Sequence, residues 1–450
     1  MIGYYFRLAF ASFRRTPGLG ILMILAVGIG IGVCVVTLTF HHAMSGNPIW
    51  WKSDQLYAVT LDNWDPMEPA DPSRPSLPPD QVTYRDAEFI YHSDVPKHAA
   101  IMYRSFGIVS GDGVSGPLKP APATTRITTG TFFPMFDVPF EYGKGWNDKA
   151  DFAPEPVMVI SHELNRKLFG GINSVGRTIR WNDTPFRIVG VLAEWEPQPK
   201  FYDMNSGDFD SAEDLYIPWK WGEVLEVGSD GSSSCWKIDE DFSTLAAFAR
   251  SECVWIQAWV ELPNFIARAR MQSVLDNYTG NEHEHGRFLR PRNNRLTDVD
   301  QWLKDQKVVP TDNRVLFGLS FVFLAVCLIN TVGLLLAKFL NAAPISGLRR
   351  ALGASRRELF RQHMVEVSTI AGAGALLGLG IGALGLAGVR ALYMMTATTP
   401  RPSGIASIAH MDISSYLIAV TLAVVATVVC GLYPAWRVGR LQPASYLKNQ

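Results

Sequence analysis

The strongest constraint on this chain is the position of four stretches that contain no Asp, Glu, Lys or Arg. They run from Leu19 to Phe40, from Val315 to Ala337, from Val367 to Val389 and from Ile413 to Trp436, and each is 22 to 24 residues long. At about 1.5 Å per helical residue, each reaches roughly 33 Å, which is enough to cross a hydrocarbon core of about 30 Å. The sequence therefore predicts a membrane protein with four transmembrane α-helices in a 1 + 3 arrangement.

Residues 41–314, between the first two of these stretches, have the composition of a soluble domain. They hold 27 basic and 39 acidic residues. Runs of β-branched and aromatic residues predict strands, and runs closed by signals such as Gly170-Gly171 predict helices. We expect a large α+β domain of two lobes, with residues 195–245 left unassigned. The predicted strands are 55–61, 98–110, 123–129, 156–160, 178–180, 185–191 and 255–262, and the predicted helices are 80–91, 161–169 and 263–278.

The basic residues outside this domain indicate its orientation. The segments before the first span, between the second and third, and after the fourth are rich in Lys and Arg, and cytoplasmic flanks collect these residues. Both termini are therefore expected in the cytoplasm and the large domain outside it. The predicted segments are an interfacial helix at 1–18, spans at 19–40, 315–337, 367–389 and 413–436, the outer domain at 41–314, a cytoplasmic loop at 338–366, a short outer loop at 390–412 and a cytoplasmic tail at 437–450.

The first span has the basic flank and apolar run of a signal peptide. It is longer than a typical signal-peptide core, and the sequence from His41 to Met44 is not a small-x-small cleavage site. We interpret it as a retained membrane anchor.

Cys235 and Cys253 are the two cysteines of the outer domain. A disulfide bond persists in an oxidising compartment, so these residues form either a disulfide or two buried thiols. The remaining three lie within predicted spans, where a thiol usually serves as a small packing residue.

The third span carries a repeat of small residues, Gly374, Gly378 and Gly382. Such a ridge lets another helix approach closely inside a bilayer. It indicates either packing among the four spans or a contact that slides during a functional cycle.

The sequence lacks the common catalytic patterns. It has no G-x-x-x-x-G-K-[ST] phosphate loop, no G-x-S-x-G elbow and no H-E-x-x-H zinc motif. The segment from Glu282 to His285, EHEH, has ligand chemistry but not ligand spacing, so we interpret it as a solvated polar turn and predict no metal site. A metalloenzyme that uses His283 and His285 is the weakest of three hypotheses.

The segment from Ile345 to Gln362 reads ISGLRRALGASRRELFRQ. It resembles the cytoplasmic loop of FtsX-type ABC-transporter permeases, whose pattern is close to E-I-G-[IL]-R-[RK]-A-L-G-A-x-[RK]. The segment GLYPAWR at Gly431–Arg437 resembles the closing motif of the same permeases. In the outer domain, GTFF at Gly130–Phe133 and FRIVGV at Phe186–Val191 resemble the periplasmic core domain of MacB-like permeases.

This resemblance implies a type VII, mechanotransmission-type permease subunit that dimerises with itself or with a similar chain. It implies export or extraction of a peptide, antibiotic or lipoprotein substrate, and a periplasmic adaptor or another extracytoplasmic partner. It implies no nucleic-acid partner and no cofactor on this chain. ATP and Mg²⁺ would be bound by a separate ABC ATPase. The implied ATPase-coupling residues are Gly347, Leu348, Arg349, Arg350, Ala351, Leu352, Gly353, Ala354, Arg356, Arg357 and Arg361.

One position departs from the family pattern. Ile345 stands where the pattern has an acidic residue, and Pro344 precedes it. A proline there would interrupt a helix that continued from the second span. The departure is either a tolerated variation or the mark of a dedicated ATPase or a partly uncoupled permease. A membrane-anchored sensor or scaffold that works without an ATPase is the alternative hypothesis.

Overall fold

A computed structural model describes residues 2–113, 116–308, 311–342, 353, 355–396 and 413–439. The chain forms two compact units. We call Met1–Ser45 with Val309–Gln450 the helical domain, and Gly46–Val308 the sheet domain. Each is described by itself.

The helical domain contains five described helices, numbered along the whole chain. Four of them are long and apolar enough to cross a membrane, and each contains one of the predicted spans. The 1 + 3 arrangement is confirmed. The helices are α1 (Ile2–Arg15), α2 (Pro17–Ser45), α11 (Thr311–Asn341), α12 (Arg356–Thr396) and α13 (Ile413–Gly439).

The glycine repeat of the third span lies against the first span. A Cβ atom added to Gly374 would lie 2.8 Å from Cγ1 of Val27, and one added to Gly378 would lie 2.9 Å from the carbonyl oxygen of Gly28. At Gly382 the nearest atom is Cγ1 of Val35, at 3.3 Å. The repeat therefore makes an intramolecular contact in which the backbones of α2 and α12 approach closely.

The sheet domain contains ten described strands in one continuous sheet. Their order is β10-β1-β9-β2-β3-β8-β5-β7-β4, and β6 pairs with both β2 and β7. The strands are β1 (Leu56–Thr60), β2 (His98–Gly113), β3 (Gly116–Thr128), β4 (Phe140–Gly143), β5 (Val157–Ile160), β6 (Thr178–Trp181), β7 (Thr184–Leu192), β8 (Leu215–Pro218), β9 (Gln257–Glu261) and β10 (Arg295–Asp298).

Eight helices accompany this sheet. Thr83 caps the first of them, because its side chain accepts a hydrogen bond from the Asp86 amide. This helix therefore starts at Tyr84, four residues after the predicted start at residue 80. The helices are α3 (Tyr84–Tyr91), α4 (Phe132–Met135), α5 (Lys149–Phe152), α6 (His162–Phe169), α7 (Trp221–Val224), α8 (Leu245–Arg250), α9 (Phe265–Glu284) and α10 (Val299–Asp305).

The pairing of β6 closes a ring of six hydrogen-bonded strands, β2-β3-β8-β5-β7-β6. A bulge between Val109 and Gly111 shifts the register between β2 and β3, at the same residues of β2 that pair with β6. Gly107, on the same strand, has no room for a side chain, because an added Cβ would lie 2.2 Å from Nε1 of Trp181. The two predicted lobes correspond to this ring and to the open part β10-β1-β9, but they are not separate, because β2 pairs in both.

Residues 195–245, left unassigned from sequence, are held by buried ion pairs. Arg126 on β3 contacts Asp203 at 2.5 Å and also Glu213, and all three side chains are fully buried. Lys200 contacts Glu213 at 2.5 Å. Burial alone would raise the pKa of Glu213, but the charges of Arg126 and Lys200 outweigh it and hold that pKa below its usual range.

A disulfide bond closes the following segment. Cys235 and Cys253 are joined with an S–S distance of 2.01 Å. The neighbouring residues Ser234 and Val254 form an isolated antiparallel bridge. The disulfide therefore ties the poorly regular segment before α8 to the strand region that leads into β9.

The glycine contact predicts a position-specific effect of adding one methyl group. Gly378→Ala should lower the melting temperature of the detergent-solubilised protein, because the new Cβ would overlap the Gly28 carbonyl, at a cost of about 1–3 kcal/mol. Gly380→Ala on the same helix is the matched control, because no atom of the described residues lies within 4 Å of its added Cβ. Equal melting temperatures for the two variants would contradict the contact.

The buried network predicts a large effect for Arg126. Arg126→Leu should destabilise the sheet domain by about 3–5 kcal/mol, because it leaves two buried carboxylates with Lys200 as their remaining cation. Arg85→Leu is the control, because the Arg85 side chain is 60% exposed and its pair with Glu282 should contribute about 1 kcal/mol at most. Denaturation followed by tryptophan fluorescence measures both; a similar midpoint shift for the two would show that the network is not needed.

Candidate functional site

The described part of the predicted coupling segment begins α12. Gly353 has a φ of +102°, in the range that favours glycine. Two residues later, Ser355 and Glu358 form a reciprocal cap: the Ser355 hydroxyl accepts from the Glu358 amide at 3.3 Å, and a Glu358 carboxylate oxygen accepts from the Ser355 amide at 2.8 Å. This capping box fixes the first residue of the helix.

From this cap, α12 continues without interruption into the third span. It contains 41 residues, which at about 1.5 Å each gives a helix of roughly 60 Å. The 338–366 segment was predicted as a loop with a short helix of its own. In the structure, residues 338–341 end α11, and residues 356–366 are the first turns of α12.

The coupling residues implied by the resemblance divide between described and undescribed parts of the chain. Gly347, Leu348, Arg349, Arg350, Ala351, Leu352 and Ala354 lie outside the described residues, as do Pro344 and Ile345. Gly353 precedes the helix cap, and Arg356 is the first helical residue. Arg357 and Arg361 lie one turn apart on α12, and both are exposed.

The opposite face of these first turns is buried. Leu359, His363 and Glu366 are each 5% exposed or less. Their spacing of four and three residues places them on one side of the helix, about half a turn away from Arg357 and Arg361. This end of α12 therefore has one face packed in the helical domain and one basic face open to a partner.

A buried ion pair lies on the packed face. Nζ of Lys338 on α11 is 2.7 Å from a carboxylate oxygen of Glu366, and the Ser12 hydroxyl on α1 donates to the same oxygen at 2.6 Å. Lys338 and Glu366 are 7% and 5% exposed. The pair connects α1, α11 and α12 at one point.

The sequence analysis did not find this ion pair. Lys338 and Glu366 were placed in the predicted loop, where a charge is normally solvated. A usable signal was present, because Lys338 directly follows the second span and Glu366 directly precedes the third. Consecutive antiparallel spans bring those two positions to the same end, where opposite charges can pair.

The two histidines of the metalloenzyme hypothesis lie at the end of α9. The Nδ1 atom of His283 is 2.9 Å from the carbonyl oxygen of Phe288, and that of His285 is 2.8 Å from the carbonyl oxygen of Asn281. The segment is helical rather than a turn through Glu284, and Glu282 pairs with Arg287 at 2.8 Å. Within the described residues, no group of three or more His, Cys, Asp or Glu has the geometry of a metal site.

Comparison with protein families matches both domains. The family described as MacB-like periplasmic core domain matches residues 21–255, which is over half of the chain, and the FtsX-like permease C-terminal family matches residues 317–443. The chain belongs to the MacB/FtsX-like ABC-transporter permeases. The resemblance inferred from the loop and outer-domain motifs is confirmed.

Two curated relatives show how this permease compares with longer proteins. It is 26% identical over 320 residues to the macrolide export ATP-binding/permease protein MacB of Rhodopirellula baltica, covering 69% of this chain and 43% of that protein. It is 24% identical over 322 residues to the pyoverdine export ATP-binding/permease protein PvdT of Pseudomonas aeruginosa, covering 71% and 41%. The permease thus spans less than half the length of these relatives.

Solved structures similar to the permease include the periplasmic region of MacB from Actinobacillus actinomycetemcomitans. The match has 13% identity and a TM-score of 0.35, and it covers 56% of this chain and 92% of that one. The extracellular domain of the noncanonic ABC-type transporter YknZ from Gram-positive bacteria matches with 12% identity and a TM-score of 0.33, covering 54% of this chain and 100% of that one.

The buried ion pair predicts strong energetic coupling between its two residues. Lys338→Met should lower the melting temperature of the solubilised permease, since it leaves Glu366 charged and buried, at a cost of about 3–5 kcal/mol. The double variant Lys338→Met/Glu366→Leu should recover most of that loss, because an apolar pair needs no counter-charge. A double-mutant cycle in detergent measures this coupling. Additive effects of the two substitutions would contradict it.

Proposed function

We propose that this permease is the membrane subunit of an ABC transporter. In this proposal, a separate ABC ATPase hydrolyses Mg-ATP and binds the helical domain at the start of α12. The motion it produces passes along α12 to the other spans and drives the sheet domain. Family membership supports this role.

The uninterrupted helix α12 is the observation that carries this proposal. It presents Arg357 and Arg361 on its exposed face and, further along, the glycine face that packs against α2. An α-helix is stiff along its axis because each turn is hydrogen-bonded to the next. A force applied at the capped end is therefore delivered to the contact between α2 and α12.

The buried ion pair supports the same role. Because Glu366 on α12 is held by Lys338 and Ser12, a displacement of α12 is shared with α11 and α1 at that point. The two faces of one helix then have separate tasks. Arg357 and Arg361 receive the partner, and Glu366 distributes the displacement.

The proposed orientation places both termini in the cytoplasm and the sheet domain in the periplasm, across the inner membrane. The basic flanks of the spans support it. We further propose a dimer of this chain, or of this chain with a similar subunit, and a periplasmic adaptor. Its cargo is proposed to be a peptide, antibiotic or lipoprotein. The names of two relatives, a macrolide exporter and a pyoverdine exporter, support export as the direction of transport.

The basic face of α12 provides the test. Arg357→Glu/Arg361→Glu should reduce stimulation of the co-purified ATPase by about tenfold, equivalent to about 1.4 kcal/mol of binding free energy, because it reverses the charge offered to the partner. Affinity purification in mild detergent, followed by ATPase assays with and without the permease, measures the effect.

The control is a charge reversal at two exposed arginines of the sheet domain, Arg166→Glu/Arg187→Glu. It should leave stimulation of the ATPase, measured without transport substrate, at the wild-type level. Full stimulation by the α12 variant would remove Arg357 and Arg361 from the coupling site. If the wild-type protein recovers no ATPase at all, the sensor or scaffold hypothesis replaces the transporter.

A further inference from the structure

Two adjoining cavities in the helical domain meet at the Lys338–Glu366 pair. The first, which we call the polar cleft, has a volume of about 250 Å³. Its lining mixes polar residues, which include Ser12, Arg15, Thr16 and His363, with apolar ones such as Leu8 and Phe339. The second, the apolar groove, has a volume of about 260 Å³ and is lined by Phe10, Phe13, Ile24, Ile370 and Ala373, among others. Lys338 and Glu366 line both, so the two cavities are neighbours.

The polar cleft contains buried hydrogen-bonding groups without partners. His363 is 4% exposed, and neither ring nitrogen has a hydrogen-bond partner among the described residues; its Nδ1 is 3.9 Å from Glu366, beyond hydrogen-bond range. The hydroxyl of Thr16 is also buried, and no described residue pairs with it. Lys338 has three donors, and its contact with Glu366 leaves others free to bind a further acceptor. Unpaired buried donors are costly, which indicates a ligand that supplies acceptors.

The charge of the polar cleft favours an anion. Glu366 is the one acidic residue among the described residues that line it, and its charge is matched by Lys338. Arg15 lines the same cleft and adds a positive charge. A phosphate group would bring acceptor oxygens for His363 and Thr16, a further acceptor for Lys338, and the negative charge that Arg15 attracts.

The two cavities follow each other along the helices in the same order as the parts of a lipid, with the polar cleft in the place of the headgroup and the apolar groove in the place of an acyl chain. The polar cleft is lined by Thr16, just before α2, and by His363, whereas the apolar groove is lined by Ile24 and Ala373. At about 1.5 Å per residue, the groove begins beside the cleft at Glu366 and extends to points roughly 12 Å beyond Thr16 along α2 and 15 Å beyond His363 along α12. A phosphate in the cleft would therefore place an acyl chain in the groove, towards the middle of the spans.

We propose that the polar cleft and the apolar groove together bind one phospholipid, with its phosphate at His363 and Lys338 and an acyl chain along Phe13, Ile24 and Ala373. The lipid comes from the leaflet in which α1 lies. It contacts α1, α11 and α12 at their shared ion pair, and so it acts as a structural component of that joint. This site lies on the packed face of α12, away from Arg357 and Arg361, and does not depend on the proposed ATPase.

The test uses the full chain, purified in mild detergent, stripped of lipid and then given defined probes. Native mass spectrometry should detect one dioleoylphosphatidylglycerol or dioleoylphosphatidylethanolamine retained per chain, and the melting temperature should rise on binding. Dioleoylglycerol, which has the acyl chains but no phosphate, should be retained about fivefold less. Equal retention of dioleoylglycerol would overturn the phosphate assignment. A rise in melting temperature with inorganic phosphate equal to that with lipid would show that the site takes a free ion.

Two pairs of variants locate the lipid. Ala373→Leu fills the apolar groove and should abolish retention, whereas Ala383→Leu, at an exposed position of the same helix, should not. His363→Phe keeps the ring but removes both nitrogens and should reduce retention, whereas Arg357→Gln on the opposite face should not. Wild-type retention by Ala373→Leu, or equal loss in Ala383→Leu, would refute the site. The three probes on wild-type protein decide the question even if a variant does not fold.

Discussion

The close approach of α2 and α12 is the contact on which the helical domain depends. Within a bilayer, burial of apolar side chains gives no net advantage over contact with lipid, so the fit between helix surfaces decides which spans associate. Here the fit is reciprocal. Added Cβ atoms at Gly28 and Gly32 of α2 would lie 3.1 Å from the carbonyl oxygens of Gly374 and Gly378 on α12. Glycines on both helices thus face backbone on the other, which fixes the register between the two spans.

At the other end of the same helix, polar interactions replace this packing. The Ser355–Glu358 cap fixes where α12 begins, and Glu366 joins it to Lys338 and Ser12. A buried ion pair such as Lys338–Glu366 is costly to break, because removing one partner leaves the other charge buried and unpaired. Two kinds of interaction therefore hold α12 in place. Close packing holds it at the glycines, and an ion pair holds it near its start. Movement of α12 as one body is the expected response to a force at its capped end.

The transmembrane spans could be predicted from the sequence because the bilayer imposes a simple rule, a long run without charge. Most strands of the sheet domain were also predictable, since their apolar residues follow in short local runs. The segment that contains Lys200 and Asp203 was not, because its conformation depends on Arg126, about 75 residues away in the chain and invisible to any local pattern. The pairing of β6 with β2 was missed for the same reason.

The start of α12 shows the same division between local and distant information. The S-x-x-E pattern at Ser355 is a local signal from which the start of α12 can be predicted. The Lys338–Glu366 pair needs two antiparallel spans to be placed side by side before the charges meet. The periodicity of the sequence does not predict which spans lie side by side.

The closed ring in the sheet domain also determines which backbone groups remain open to other chains. A sheet that ends in free strands offers unpaired amides and carbonyls to any neighbouring extended peptide, a common route to unwanted assembly. Here the described strand order ends at β10 and β4, and each is four residues long. A chain that adds itself to this sheet would gain few hydrogen bonds at either end. The sheet domain should therefore have little tendency to aggregate through edge-to-edge strand pairing, even where several copies are close together.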